Sequence, residues 1–129
     1  SGSSMSQLGH TMHPDRGAFK PQLAETVYCT TLDELIWKKA LPAPHHIKID
    51  VDGNEPKILA GMAKLLSSTG KPKTIQVEIN PGQKVEVDAL ILPHGYRIDH
   101  VHHTAGGAQR IEQGESADTI AYNVVYVRE

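Results

Sequence analysis

Apolar and polar residues alternate along this chain with two distinct periods. Ile47, Ile49 and Val51 alternate with Lys48 and Asp50, the two-residue period of a strand that buries one face. Thr74-Ile75-Gln76-Val77-Glu78-Ile79 repeats that pattern. Between them Ile58, Leu59, Met62, Leu65 and Leu66 recur at i, i+1, i+4, i+7 and i+8, which predicts an amphipathic helix. Asp52-Gly53-Asn54 predicts the tight turn before that helix, with Asn54 as N-cap and Pro56 in the first turn, where its missing N–H costs nothing. Ser67 to Gly70 ends it.

Upstream, Val27-Tyr28-Cys29-Thr30 is β-branched and aromatic enough to predict a short strand. Thr31-Leu32-Asp33-Glu34 is a capping box. It opens a helix with Leu32, Leu35 and Ile36 on one face and Lys38 and Lys39 in the last turn, stopped by Pro42 and Pro44. Downstream, Pro81-Gly82 turns the chain, Val85 to Leu92 predicts a weaker helix, and Pro93-His94-Gly95 turns it again. Tyr96 to Val101 predicts a fourth strand, followed by a polar loop containing Gly106, Gly107 and Gly114 and a final strand over Ile120 to Val127. The predicted order is β-α-β-α-β-α-β-loop-β. Strands alternating with helices imply an α/β fold with a mainly parallel sheet, and the last two strands, lacking a helix between them, are expected to pair antiparallel.

Residues 1–24 predict an irregular leader or loop, since His10 to Pro21 carries two prolines, a glycine and no apolar period. Ser1 to Met5 reads either as an expression scar with Met5 as the start or as native sequence cut from something longer. Residues 25–129 then form one α/β domain, as a chain of 129 residues allows. Thirteen Lys and Arg against fifteen Asp and Glu give a formal charge of −2. This speaks against a nucleic-acid partner, which calls for a basic face. A single cysteine, Cys29, excludes an intramolecular disulfide framework and is expected as a small core hydrophobe. Trp37 is expected to pack on its helix. No apolar run approaches about 18 residues, and no basic-then-apolar signal pattern opens the chain. A cytoplasmic protein without a membrane partner is the expectation.

Several ordered pieces carry a resemblance. Thr31-Leu32-Asp33-Glu34-Leu35 is followed by Lys48-Ile49-Asp50-Val51-Asp52-Gly53-Asn54-Glu55, by Ile58-Leu59-Ala60-Gly61 with Leu65-Leu66, and by Val77-Glu78-Ile79-Asn80. His94-Gly95-Tyr96 and Asn123 extend the series. Over roughly residues 25–127 the chain resembles the C-terminal half of the FkbM family of S-adenosylmethionine-dependent methyltransferases. Asp52 stands where that family usually has Glu. The resemblance implies a partial class I methyltransferase-like Rossmann sheet, mainly parallel with a C-terminal antiparallel strand. It also implies methyl transfer from S-adenosylmethionine, to a hydroxyl of a sugar or other small metabolite. The family's cofactor half, with a glycine-rich D-x-G-x-N-x-G turn and a later acid for the ribose, is expected before this segment, and nothing in residues 1–25 matches it. Two outcomes stay open: a missing N-terminal half, or a non-catalytic fragment that oligomerises through the edge strand left open by that half.

In open α/β sheets the site lies beyond the carboxyl ends of the strands. That rule selects Asp50 and Glu78 as candidate catalytic carboxylates. Asp52, Asn80, His100 and His102 are selected as candidate substrate-binding residues. Two facing carboxylates raise one pKa toward a useful base or hold a divalent cation; alternatively Glu78 pairs with Lys48 or Lys84. Asp52 and Glu55 also suit the N-terminal amides of the following helix. Asp50 to Glu55 imitates a glycine turn and a calcium loop, but has one glycine, Pro56 just after it, and no distal bidentate Glu. His100, His102 and His103 form H-x-H-H without a further ligand at metal-site spacing, so no metal is expected there. No G-x-S-x-G nucleophile context is present.

Overall fold

The computed structural model describes residues 26–129, and before them only the backbone of a two-residue antiparallel ladder between β1 (Met12–His13) and β2 (Gly17–Ala18). The rest of the predicted leader lies outside the described residues. The remaining elements are α1 (Leu32–Trp37), β3 (His46–Ile49), α2 (Glu55–Ala60), α3 (Ala63–Leu66), β4 (Thr74–Ile79), α4 (Lys84–Ile91), β5 (Tyr96–His102), α5 (Ala105–Glu112) and β6 (Tyr122–Arg128). Short 3₁₀ turns cover Leu92–His94 and Ala117–Thr119.

The larger sheet has the order β3-β4-β6-β5. β3 and β4 are parallel, while β6 is antiparallel to both β4 and β5. This corrects the mainly parallel sheet expected from sequence. Three strands do run in one direction, but the fourth is inserted among them, so a single pair is parallel. The α/β class and the antiparallel β5–β6 pair stand. Insertion of β6 beside β4 is a non-local choice that strand periodicity does not encode.

One face of the sheet is the core. Ile49, Ile75, Val77, Ile79, Val124 and Tyr126 pack there against Leu59, Met62, Leu65, Leu66, Val87 and Ile91 from the helices. Each fully buried Leu or Ile contributes about 1.5–3 kcal/mol. Two buried phenols are anchored by hydrogen bonds: the Tyr96 hydroxyl donates to the Pro72 carbonyl at 2.6 Å and the Tyr126 hydroxyl to Asp88 at 2.6 Å.

The predicted helix over Ile58–Leu66 is broken at Gly61 and Met62. α1 sits against the break. Asp33 N–H donates to the Gly61 carbonyl at 3.1 Å, and the Asp33 carboxylate accepts from Lys64 N–H at 2.8 Å and Leu65 N–H at 2.9 Å. Asp33 therefore caps α3 from a distance, a service its own N-cap Met62 does not supply. A Cβ on Gly61 would stand 3.0 Å from Thr31 Cγ2, so this residue lets α1 approach. The capping box at Thr31 is real in its first half: the hydroxyl accepts from Glu34 N–H at 3.1 Å.

Other expectations need correction. Residues 27–30 form no strand and are exposed, Cys29 included. Lys38 is the C-cap of α1 and not part of its last turn. Trp37, expected to pack on its helix, is 43% exposed, and its ring lies under the Lys64 ammonium of α3, 4.5 Å from the ring centre. The predicted glycine-containing loop is helix α5. Its N-cap Thr104 accepts from Gly107 N–H at 3.0 Å, and Gly107 fits against Ile120 where a Cβ would come within 3.2 Å.

Candidate functional site

The second face of the sheet carries the polar residues. Pairing Ile49 with Val77 sets Asp50 level with Glu78 at the carboxyl ends of β3 and β4. Glu78 pairs in register with Asn123 of β6, and Asn123 with His102 of β5. Asp50, Glu78, Asn123 and His102 thus form one row across four strands. With neighbouring strands about 4.8 Å apart, Glu78 and His102 are about 10 Å apart.

Asp50 and Glu78 are hydrogen-bonded to each other. That bond is the largest influence holding the Glu78 carboxyl up at about 7, with burial next and then the charges of Asp50, Glu55 and Asp52. With its carboxyl held up at about 7, Glu78 keeps its proton up to near neutral pH. Neither expected lysine partner intervenes: Lys84 pairs with Asp88 at 2.5 Å.

Glu55 lies behind this pair and is only 2% exposed. Its Oε1 accepts from Gly53 N–H at 3.4 Å, while Oε2 has no hydrogen-bond partner among the described residues. Burial raises its pKa first, backbone amides of Glu55, Gly53 and Val51 lower it, and Asp52 raises it. Gln83 closes the turn from the other side, its Nε2 donating to the Gly53 carbonyl at 3.3 Å. Asn80 is drawn to the same turn, its Nδ2 standing 4.0 Å from where a Gly53 Cβ would be. Gly53 takes φ +91°, which glycine adopts without strain.

The structure therefore gathers Asp50, Asp52, Glu78 and Asn80 around the β3–α2 turn. His100 and His102 stand apart on β5, rings stacked at 5.4 Å, with His100 Nδ1 2.7 Å from Asp99. Sequence reasoning missed Glu55 as a buried acid, Gln83, and Asn123 as the bridge of the row. Asn123 is 5% exposed and accepts from Gln76 Nε2 at 3.3 Å. A lone amide inside the apolar run Ile120 to Val127 was the available signal. Among the described residues no group of three or more His, Cys, Asp or Glu is placed to hold a metal ion, and no helix is long and apolar enough to cross a membrane.

The turn does not fit the methyl donor that the resemblance implies. A donor-binding turn presents free backbone N–H groups to its ligand, whereas here the Gly53 N–H is directed at the chain's own Glu55 and Pro56 has none to give.

Two comparisons find nothing: neither a curated protein nor a solved structure matches this chain. A third gives a match to the family model described as the methyltransferase FkbM domain, over residues 4–98. The match begins earlier than the resemblance read from sequence and stops inside β5, before Asn123, His100 and His102.

Proposed function

This chain belongs to the FkbM methyltransferase family, and from that premise we propose that it forms the acceptor side of an S-adenosylmethionine-dependent O-methyltransferase acting on a hydroxyl of a sugar or other small metabolite. The observation that carries this reading is the hydrogen-bonded Asp50–Glu78 pair, with Glu78 held at about 7, at the carboxyl ends of two parallel strands. A hydroxyl acceptor must lose its proton as the methyl group arrives, and a carboxylate titrating near neutrality is matched to that task. Asp50 and Glu78 are the proton acceptors in this reading. Asp52 and Asn80 hold the acceptor from the turn, and His102 and His100 bound the row on its far side. A span of about 10 Å between Glu78 and His102 suits an acceptor of monosaccharide size. In this reading the donor is bound by elements other than residues 26–129, arranged as one half of a Rossmann sheet against the other; the Gly53 turn, whose N–H is directed at Glu55, supports it.

Calorimetric titration with S-adenosylhomocysteine tests this division. The expected result is no binding by this chain alone. Binding in the micromolar range, about 8 kcal/mol, would place the donor site within the chain and make the Asp50–Gly53 turn the first to mutate.

One observation favours a second reading, a non-catalytic oligomerising module. Among the described residues β3 pairs with β4 alone, so its other edge is open.

A further inference from the structure

The charges that act on Glu78 are all negative: those of Asp50, Glu55 and Asp52. Lys84 of α4 is held by Asp88 and His100 of β5 by Asp99, and the ion pairs among the described residues give Asp50, Glu55 and Glu78 no basic partner. Beneath the pair, Glu55 is only 2% exposed and its Oε2 meets no donor. Gln83 Oε1, on the other side of the same turn, is a second buried acceptor without a donor. Buried acceptors are nearly always satisfied, so two orphans at one turn call for a reason. Both lack a hydrogen-bond donor, and the carboxylates beside them lack a positive charge.

We propose that the acceptor bound here carries an amine beside the hydroxyl it offers, as an amino sugar or another vicinal amino alcohol does, with its ammonium on Asp50 and its hydroxyl on Glu78. That assignment rests on the acceptor reading above and narrows its substrate class. An ammonium supplies both missing things, positive charge and donor hydrogens. Asp50 and Glu78 are in hydrogen-bond contact, so a nitrogen and an oxygen on adjacent carbons reach one carboxylate each. Asp50 and Asp52 are exposed and Glu78 is half-buried, which leaves the pair open to a ligand from the strand ends. Glu55 stands beneath them, close enough for its charge to reach Glu78.

A divalent metal is the other cation that acids attract, but it needs oxygen ligands closing on one point. Among the described residues no three acids are grouped in that way. An ammonium asks for less, since its hydrogens point several ways and a single carboxylate oxygen accepts one of them. Its arrival also changes the chemistry. A positive charge next to Glu78 favours the ionised carboxylate, whereas a neutral acceptor leaves that group protonated up to about 7. The molecule to be methylated thus helps to free the base that then takes its hydroxyl proton.

Titration of the whole chain at pH 6 with D-glucosamine, N-acetyl-D-glucosamine and methylammonium, followed by nuclear magnetic resonance, tests it. Glucosamine is expected to bind about tenfold tighter than either of the others. Asp50→Asn is expected to bring the two sugars within about twofold of each other. Equal binding of the two sugars, methylammonium as tight as glucosamine, or no binding of any of them overturns the proposal. So does displacement of glucosamine by an equal concentration of magnesium ion. Should Asp50→Asn fold poorly, the unaltered chain decides the matter: glucosamine is expected to move the Glu78 carboxyl carbon resonance to its ionised position and N-acetylglucosamine to leave it, and no difference overturns the assignment. The methyl donor takes no part, so the two readings fail separately. Sugars bound equally overturn the amine site and leave the acceptor reading standing, whereas glucosamine preferred by a protein that transfers no methyl group overturns that reading and supports the amine site.

Discussion

Glu78 shows how one contact sets a residue's behaviour. Its carboxyl titrates near 4.5 in an unfolded chain and at about 7 here, with the bond to Asp50 as the leading cause. Between those two pH values the folded state binds a proton that the unfolded state has lost. Stability therefore falls as pH rises from about 4.5 to 7 and is level above that. Replacing Glu78 by Gln removes this slope and is expected to stabilise the protein by about 1–2 kcal/mol at pH 8, less than the full linkage because water reaches the group. Urea unfolding of both proteins at pH 5 and pH 8 checks it; a gain equal at the two pH values would contradict a shared proton. Asp50 and Glu78 were legible in the sequence because both end strands whose period is unmistakable. Glu55 was not, since a charged residue after a glycine turn looks like a helix-terminal acid until burial is known.

At the scale of elements, the motif residues do more structural than chemical work. Asp33 caps α3 across thirty-one positions of sequence, and Gly61 gives α1 its place. Asp33→Ala is therefore expected to cost about 1–2 kcal/mol, with Asp33→Asn losing distinctly less because an amide oxygen still accepts. Thermal unfolding of the two variants checks this, and equal losses would mean that Asp33 acts through charge alone. Strands β3, β4, β5 and β6 were all legible, because alternation over four or more residues leaves little choice. The break at Gly61 was not, since a capping partner on another helix leaves no trace in local periodicity. α5 was missed for the opposite reason: Gly106 and Gly107 argue against a helix locally, yet the contact of Gly107 with Ile120 and the Thr104 cap favour one.

For the whole molecule, the alternation of strands and helices gave the class but not the strand order. Direction along β3, β4 and β5 follows from the helices that connect them, whereas the position of β6 depends on which edge it meets.

The placement of β6 also bears on how the protein is made. Synthesis delivers β4 and β5 well before β6, the strand that must lie between them. Until it arrives both earlier strands keep an inner edge bare, and Val77 and Ile98 lack the neighbours Val124 and Tyr126 that later cover them. The nascent chain therefore passes through a stage with two adhesive strands and no means of joining them. A holdase that shields those strands during translation would serve this protein more than one that acts after release.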